Sequence, residues 1–281
     1  MSKKTELAKT GASDVAIPFD YSAYQGQGLN ISLDDLKIPF ASLVQKDSKV
    51  LQDDEEKYVA GGEVGDILNS AAKVYNNGAK GLLLVPACIK TTMVEYLPER
   101  GGFVAEHEMT SQVAIAGQAN GNTTEGGNDL VKTKTMFAIV VDEETLEPVD
   151  YIVVPFASSK LGPWSEYWTK INTAKFTKDL PEFLHLLRLS VKDQKNAKGR
   201  FKNYVMFPAR NEAGELIVTA GLSSQDIIKA SGTGSVPHSM LDPNGALVKA
   251  GEKLKKAVLS GRAKADDSTR EQTAASKDEH F

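Results

Sequence analysis

Cysteine is almost absent from this chain. Cys88 is the only one in 281 residues, so no intrachain disulfide can staple the fold, and the composition fits a reducing cytoplasm. Long apolar runs are missing too. Those present, such as residues 82–85 and 152–156, are far too short to cross a bilayer. The polar start Met1-Ser2-Lys3-Lys4-Thr5-Glu6 is not followed by the apolar segment of a secretory signal. A soluble, cytoplasmic protein without membrane contact is expected. The 281 residues suffice for one large domain or two small ones, and no internal period suggests a repeat architecture.

Signatures of catalysis are lacking as well. The chain has no phosphate-binding Walker loop, no paired-glycine dinucleotide fingerprint after a strand, and no HExxH or CxxC spacing. Its four histidines are scattered. His107 lies between Glu106 and Glu108 but has no second ligand cluster, so it reads as a solvated strand edge. The run Asp53-Asp54-Glu55-Glu56 reads as a solvated acidic loop. No residues group as nucleophile, base and orienting partner. Neither an enzyme nor a cofactor or metal is expected.

What is present is a local reversal of charge. The formal net charge is -4, which argues against a uniformly basic coat for duplex DNA yet leaves room for a local basic groove. Between Phe156 and Tyr204 lysine and arginine outnumber acids, and Trp164, Tyr167, Trp168, Phe176, Phe201 and Tyr204 lie among them. Trp164 and Trp168 are the only tryptophans. Cations that neutralise phosphates, interleaved with rings that stack on bases, suit a single-stranded nucleic acid. The candidate cations are Lys160, Lys170, Lys175, Lys198, Arg200 and Lys202. The candidate rings are Trp164, Tyr167, Trp168 and Tyr204. Helical spacing also allows the two tryptophans to be core, whereas Tyr167 is expected to project away from their stripe and stack. His185, near an apolar stripe, is expected to be a core histidine.

Along the chain, residues 1–30 read as a flexible N-terminal arm and residues 31–260 as the folded domain. Residues 40–45, 81–96, 135–141 and 151–156 read as strands, with residues 142–148 closing a hairpin between the last two. Residues 109–133, rich in Gly, Asn, Thr and Gln, are either a long mobile loop or a hairpin with a floppy tip. Helices are expected around Trp164–Ile171, over residues 180–189 and over residues 246–259, and a further hairpin is expected from residues 203–208 and 216–219. Residues 261–281 read as a disordered acidic tail. It ends Asp278-Glu279-His280-Phe281, a pattern in which an aromatic ring can fill a partner's pocket while carboxylates pair with cations around it. The expected fold class is β-rich α+β.

The segment Ile38-Pro39-Phe40-Ala41-Ser42-Leu43-Val44-Gln45, the strand 151–156 running into Ser158-Ser159-Lys160, the Trp164/Trp168 helix and the Phe-ended tail together resemble phage-encoded single-stranded DNA-binding proteins. That resemblance implies an antiparallel OB-like barrel with inserted helices, which binds single-stranded DNA without sequence preference in phage replication or recombination. It implies a location in the host cytoplasm, and a tail, through Asp278, Glu279 and Phe281, that recruits a polymerase or helicase. A homo-oligomer is compatible with it. The alternative is a phage structural or accessory assembly protein whose aromatic helix is ordinary core.

Overall fold

Two apolar runs decide the architecture. Residues 82–88 and 135–141 are buried without interruption, so both faces of their strands must be covered, and each must be central in a sheet. A computed structural model of the chain describes residues 37–55, 58–69, 74–75, 80–173, 180–197, 199–217 and 239–267. The chain divides into two units, Met1–Ser32 and Leu33–Phe281, and every described residue belongs to the second. The expected arm and the tail residues Asp278, Glu279 and Phe281 lie outside the described residues.

In chain order the first strands are β1 (Lys37–Ile38), β2 (Ala41–Leu43), β3 (Ile67–Asn69), β4 (Val74–Tyr75), β5 (Leu82–Tyr96) and β6 (Phe103–Glu108). Helix α1 (Gln112–Ala119), β7 (Asp129–Val141), β8 (Pro148–Ala157) and helix α2 (Leu161–Thr173) follow. The rest comprises β9 (His185–Asn196), β10 (Gly199–Pro208), β11 (Ser239–Met240), helix α3 (Ala246–Leu259) and β12 (Lys264–Ala265).

The main sheet runs β10-β9-β5-β7-β8 and is antiparallel throughout. β5 and β7 pair over their whole length, from Leu83 opposite Val141 to Tyr96 opposite Asp129, with a bulge between Pro86 and Cys88. The other side of β5 is shared: β9 pairs with Leu82–Leu84, and β6 with residues 92–96. The sheet curls into a half-barrel. Its two outermost strands approach one another where Phe156 of β8 and Tyr204 of β10 stand 5.7 Å apart, ring centre to ring centre. One face packs α3 through Leu247, Leu254 and Val258 on Leu83, Val85, Ile139 and Phe137. The other holds α2 and the β2-β3-β4 sheet on Leu84, Ala138, Val140 and Val154. The protein is therefore a strand-rich α+β fold with three helices among the described residues, and none of these is long and apolar enough to cross a membrane.

Two glycines are required by close approach. Gly251 of α3 faces Phe183, whose Cβ would lie 2.7 Å from an added Cβ. Gly81, just ahead of β5, has φ +79°, and an added Cβ would sit 2.6 Å from the Leu189 carbonyl oxygen. Gly81→Ala thus combines left-handed strain of about 1–2 kcal/mol with a clash at the β5–β9 seam. A lowered urea midpoint is expected, and an unchanged midpoint would show that the seam yields freely.

The β7–β8 hairpin and α3 form as the sequence patterns predict, and α2 forms around Trp164 and Trp168. Four expectations are corrected. Residues 180–189 are not a helix: after a 3-10 turn at Glu182–Leu184 they open β9, because pairing with β5 and β10 buries Leu186, Leu187 and Leu189 on both faces of the sheet. Strand β10 therefore pairs with β9, and Leu216 forms an isolated bridge with Arg210 outside the named strands. Residues 109–133 are neither loop nor floppy hairpin. Ser111 Oγ caps α1 by accepting the Ala114 N–H at 3.2 Å, and β7 starts at Asp129. The folded part also extends past residue 260. Ala263 is buried, β12 pairs with β1 in parallel, and the Asp266 N–H donates to the Ile38 carbonyl.

Candidate nucleic-acid interface

The hairpin β9–β10 carries cations along its outer half. Lys195 stands opposite Arg200, and Lys192 opposite Asn203. Lys192, Lys195 and Arg200 are exposed. Lys202 pairs with Asp193 at 3.1 Å, and its backbone is clamped by Gln45, which accepts the Lys202 N–H and donates to its carbonyl, both at 2.9 Å. Lys170 is exposed on α2 and tied to Glu166 at 2.8 Å, so part of its charge is answered locally. Lys175 and Lys198 lie outside the described residues. A cavity of about 270 Å³ separates α2 from β10, lined by Pro163, Tyr167, Lys170, Lys192 and Phe207 among others.

The rings are placed differently from expectation. Trp164, Tyr167 and Tyr204 are 3%, 5% and 0% exposed, so none presents a face for a base to cover. Tyr167 falls on the apolar stripe of α2 rather than off it, because 164, 167 and 171 are spaced by three and four residues and share one helix face. Burial pushes the Tyr167 phenol well above its ordinary range. Trp164, Phe156 and Tyr204 form a packed trio, with centroids 4.7 Å apart for Trp164–Phe156 and 5.7 Å for Phe156–Tyr204. They fill the half-barrel where its edges meet. Trp168 is half-buried, edge-on to Tyr167 at 5.5 Å and to His185 at 6.1 Å. His185 is a core residue, as expected. Phe207 is 48% exposed and Phe201 partly so, which makes them the rings of this region best placed to stack.

Cations cap the buried trio from outside. Lys134 Nζ lies 5.6 Å over the Trp164 ring and Lys160 Nζ 5.3 Å over Tyr204, within cation–π range. Lys132 and Lys134 leave the same side of β7, two residues apart. Burial, followed by repulsion from Lys132, lowers the Lys134 pKa. Next to them Arg100 Nη2 donates to Ser158 Oγ at 3.1 Å. On the opposite flank the Asn203 amide donates to the Ser159 carbonyl at 3.1 Å. The 3-10 turn Ser158–Lys160 therefore joins two groups of cations. Lys195, Arg200 and Lys202 come from one face of the hairpin and Lys192 from the other; Arg100, Lys132 and Lys134 come from the β7 side.

Sequence reasoning missed the second group. Its one visible signal is the alternation Val131-Lys132-Thr133-Lys134-Thr135, which puts two lysines on one strand face. Arg100 gives no sequence signal, since it reaches the site through a turn. His107 is an engaged residue rather than a ligand: its Nε2 lies 2.6 Å from Glu95, whose other oxygen accepts from the Asn128 amide at 2.7 Å. Among the described residues no group of three or more His, Cys, Asp or Glu side chains could hold a metal ion.

Residues 7–226, well over half of the chain, match the family described as Pam3 phage gp34-like protein. The chain belongs to that family and is a phage protein. No curated protein and no solved structure matches it.

Proposed function

We propose that this phage protein binds single-stranded DNA without reading its sequence, and that it serves phage replication or recombination. One observation carries the reading: the Ser158–Lys160 turn links the hairpin cations to the β7 cations. Among the described residues, two carboxylates that flank this stretch are already engaged. Asp193 is paired with Lys202, and the Asp129 carboxylate accepts the Arg100 backbone N–H at 3.2 Å. Such a track supplies counterion release, a sequence-independent source of affinity. Phe201 and Phe207 share the hairpin face of Lys192 and, with the partly exposed Trp168 on α2, supply ring surface in this region. The curled antiparallel sheet is compatible with an OB-like barrel, a fold that binds strands across its face. In this reading the acidic tail with Asp278, Glu279 and Phe281 recruits a replication partner such as a polymerase or helicase.

Titrating folded protein with fluorescein-labelled oligo-dT over a range of salt tests the reading. Binding should weaken steeply with salt. The exposed pair Lys195→Glu and Arg200→Glu should cut affinity by about tenfold or more at low salt. It should also flatten the slope of log K against log salt by about 1.4, roughly 0.7 for each phosphate left without its cation. Absence of oligo-dT binding by the wild-type protein at about 50 mM salt, where counterion release favours binding strongly, would reject it.

A further inference from the structure

The β7 group has the makings of a discrete anion site. β8 stops pairing at Ala157, opposite Thr133, so residues 129–132 of β7 have no β8 partner. Two turns stand at that edge. Pro98–Arg100 is fastened to it by the Arg100 N–H on Asp129, and Ser158–Lys160 continues directly from Ala157. The backbone is held out of its easy conformations at both: φ is 56° at Glu99, 56° at Arg100 and 49° at Ser158, none of them glycine. Strain of this kind at a non-glycine residue persists where the surroundings over-determine it, and it clusters at ligand clamps. Here it holds a guanidinium against the Ser158 hydroxyl, beside a lysine pair.

That pair is the second observation. Lys132 and Lys134 emerge about 6.6 Å apart from one strand face, and among the described residues neither has a carboxylate partner. The nearby Glu95 is engaged by His107 and Asn128. Two like charges set side by side over an aromatic core disfavour one another, and this repulsion adds to burial, the larger cause, in lowering the Lys134 pKa. A shared anion would convert that repulsion into attraction. The Arg100 fork, with its planar donors, matches the oxygens of a phosphate.

We propose that Arg100, Lys132, Lys134, Ser158 and Lys160 form a binding site for one phosphate group. The inference rests on the single-strand reading only for the source of that group, a phosphodiester in a DNA strand as opposed to a free phosphate. In the strand-bound protein it is the anchor where the backbone leaves the hairpin and turns onto β7.

The test compares the wild-type protein, Lys132→Gln, Lys132→Gln/Lys134→Gln and, as a control on the opposite sheet face, Lys253→Gln. Each is titrated with oligo-dT across a salt series and, separately, with inorganic phosphate while Trp fluorescence and Tm are followed. Trp164 reports locally, because Lys134 sits over its ring. The expected results are a Tm rise and an emission change with phosphate in the wild type and in Lys253→Gln, both abolished in the double variant. For oligo-dT, affinity should fall about tenfold and the salt slope by about 0.7, the share of one phosphate, in the double variant, with a smaller slope change in Lys132→Gln. Wild-type oligo-dT affinity and slope in the folded double variant would overturn the site while leaving the single-strand reading intact. A phosphate response abolished in the double variant, without any oligo-dT binding by the wild type, would uphold the site and reject that reading. A wild type that responds to neither probe rejects both.

Discussion

Phe156→Ala is expected to destabilise the protein by about 3–5 kcal/mol, a large part of the roughly 5–15 kcal/mol typical of a folded domain. The ring is 0% exposed and lies between Trp164 and Tyr204, at 4.7 and 5.7 Å. It belongs to β8, Trp164 to α2 and Tyr204 to β10, so its loss opens a cavity where three elements meet and the half-barrel closes. The neighbours cannot all collapse inward, since each is fixed by its own strand or helix. Urea unfolding followed by circular dichroism gives the number. A loss below about 1 kcal/mol, the size of a mild surface change, would mean that the trio does not hold the sheet edges together. The same variant bears on function. If the buried rings are scaffold, whatever protein remains folded at low temperature should still bind oligo-dT, whereas direct stacking on Phe156 would abolish binding without unfolding.

Acid should unfold the protein through His185 before its carboxylates protonate. Burial pushes the His185 pKa down to about 4, with Glu182 a weaker influence in the opposite sense, while an unfolded histidine titrates near about 6.5. The folded form therefore binds fewer protons than the unfolded form between those values. Stability from this group is complete above about pH 6.5 and falls as pH drops toward 4. Between about pH 7 and pH 4.5 the loss is about 2–3 kcal/mol. Glu95, Glu143, Asp142 and Glu166 have lowered pKa values, so their contributions are complete above the ordinary carboxylate range and are lost as pH falls from that range through the lowered values. Urea midpoints taken at about pH 7, 6 and 5 isolate the histidine. His185→Gln should flatten the dependence in that window, and an unchanged slope in the variant would assign the acid sensitivity elsewhere.

Legibility differed between parts of this chain for physical reasons. Helix α3 was readable because Leu247, Leu254, Ala257 and Val258 repeat at a helical period against lysines and a glutamate. The β7–β8 hairpin was readable because long β-branched runs flank an acidic turn. The segment His185-Leu186-Leu187-Arg188-Leu189 satisfied both periods, as any short run buried on both faces does, and only its partners Leu82–Leu84 and β10 made it a strand. The cap at Ser111 was present in the sequence, but the weakly amphipathic helix after it was masked by its Gly, Asn, Thr and Gln neighbours.

For the interface, the sequence by itself determined that basic and aromatic residues concentrate between Phe156 and Tyr204, since composition is local and needs no fold to be seen. It also determined that Lys192, Lys195 and Arg200 have no apolar reason to be buried. Only the tertiary structure decided that Trp164, Tyr167 and Tyr204 face inward. Closing a curled sheet leaves a volume that must be filled at near-crystalline density, and burying large rings there gains about 25 cal/mol for each Å² removed from water. Only the tertiary structure brought Arg100, Lys132 and Lys134 to Ser158, because a strand register and two strained turns, not sequence proximity, set which charges share a surface.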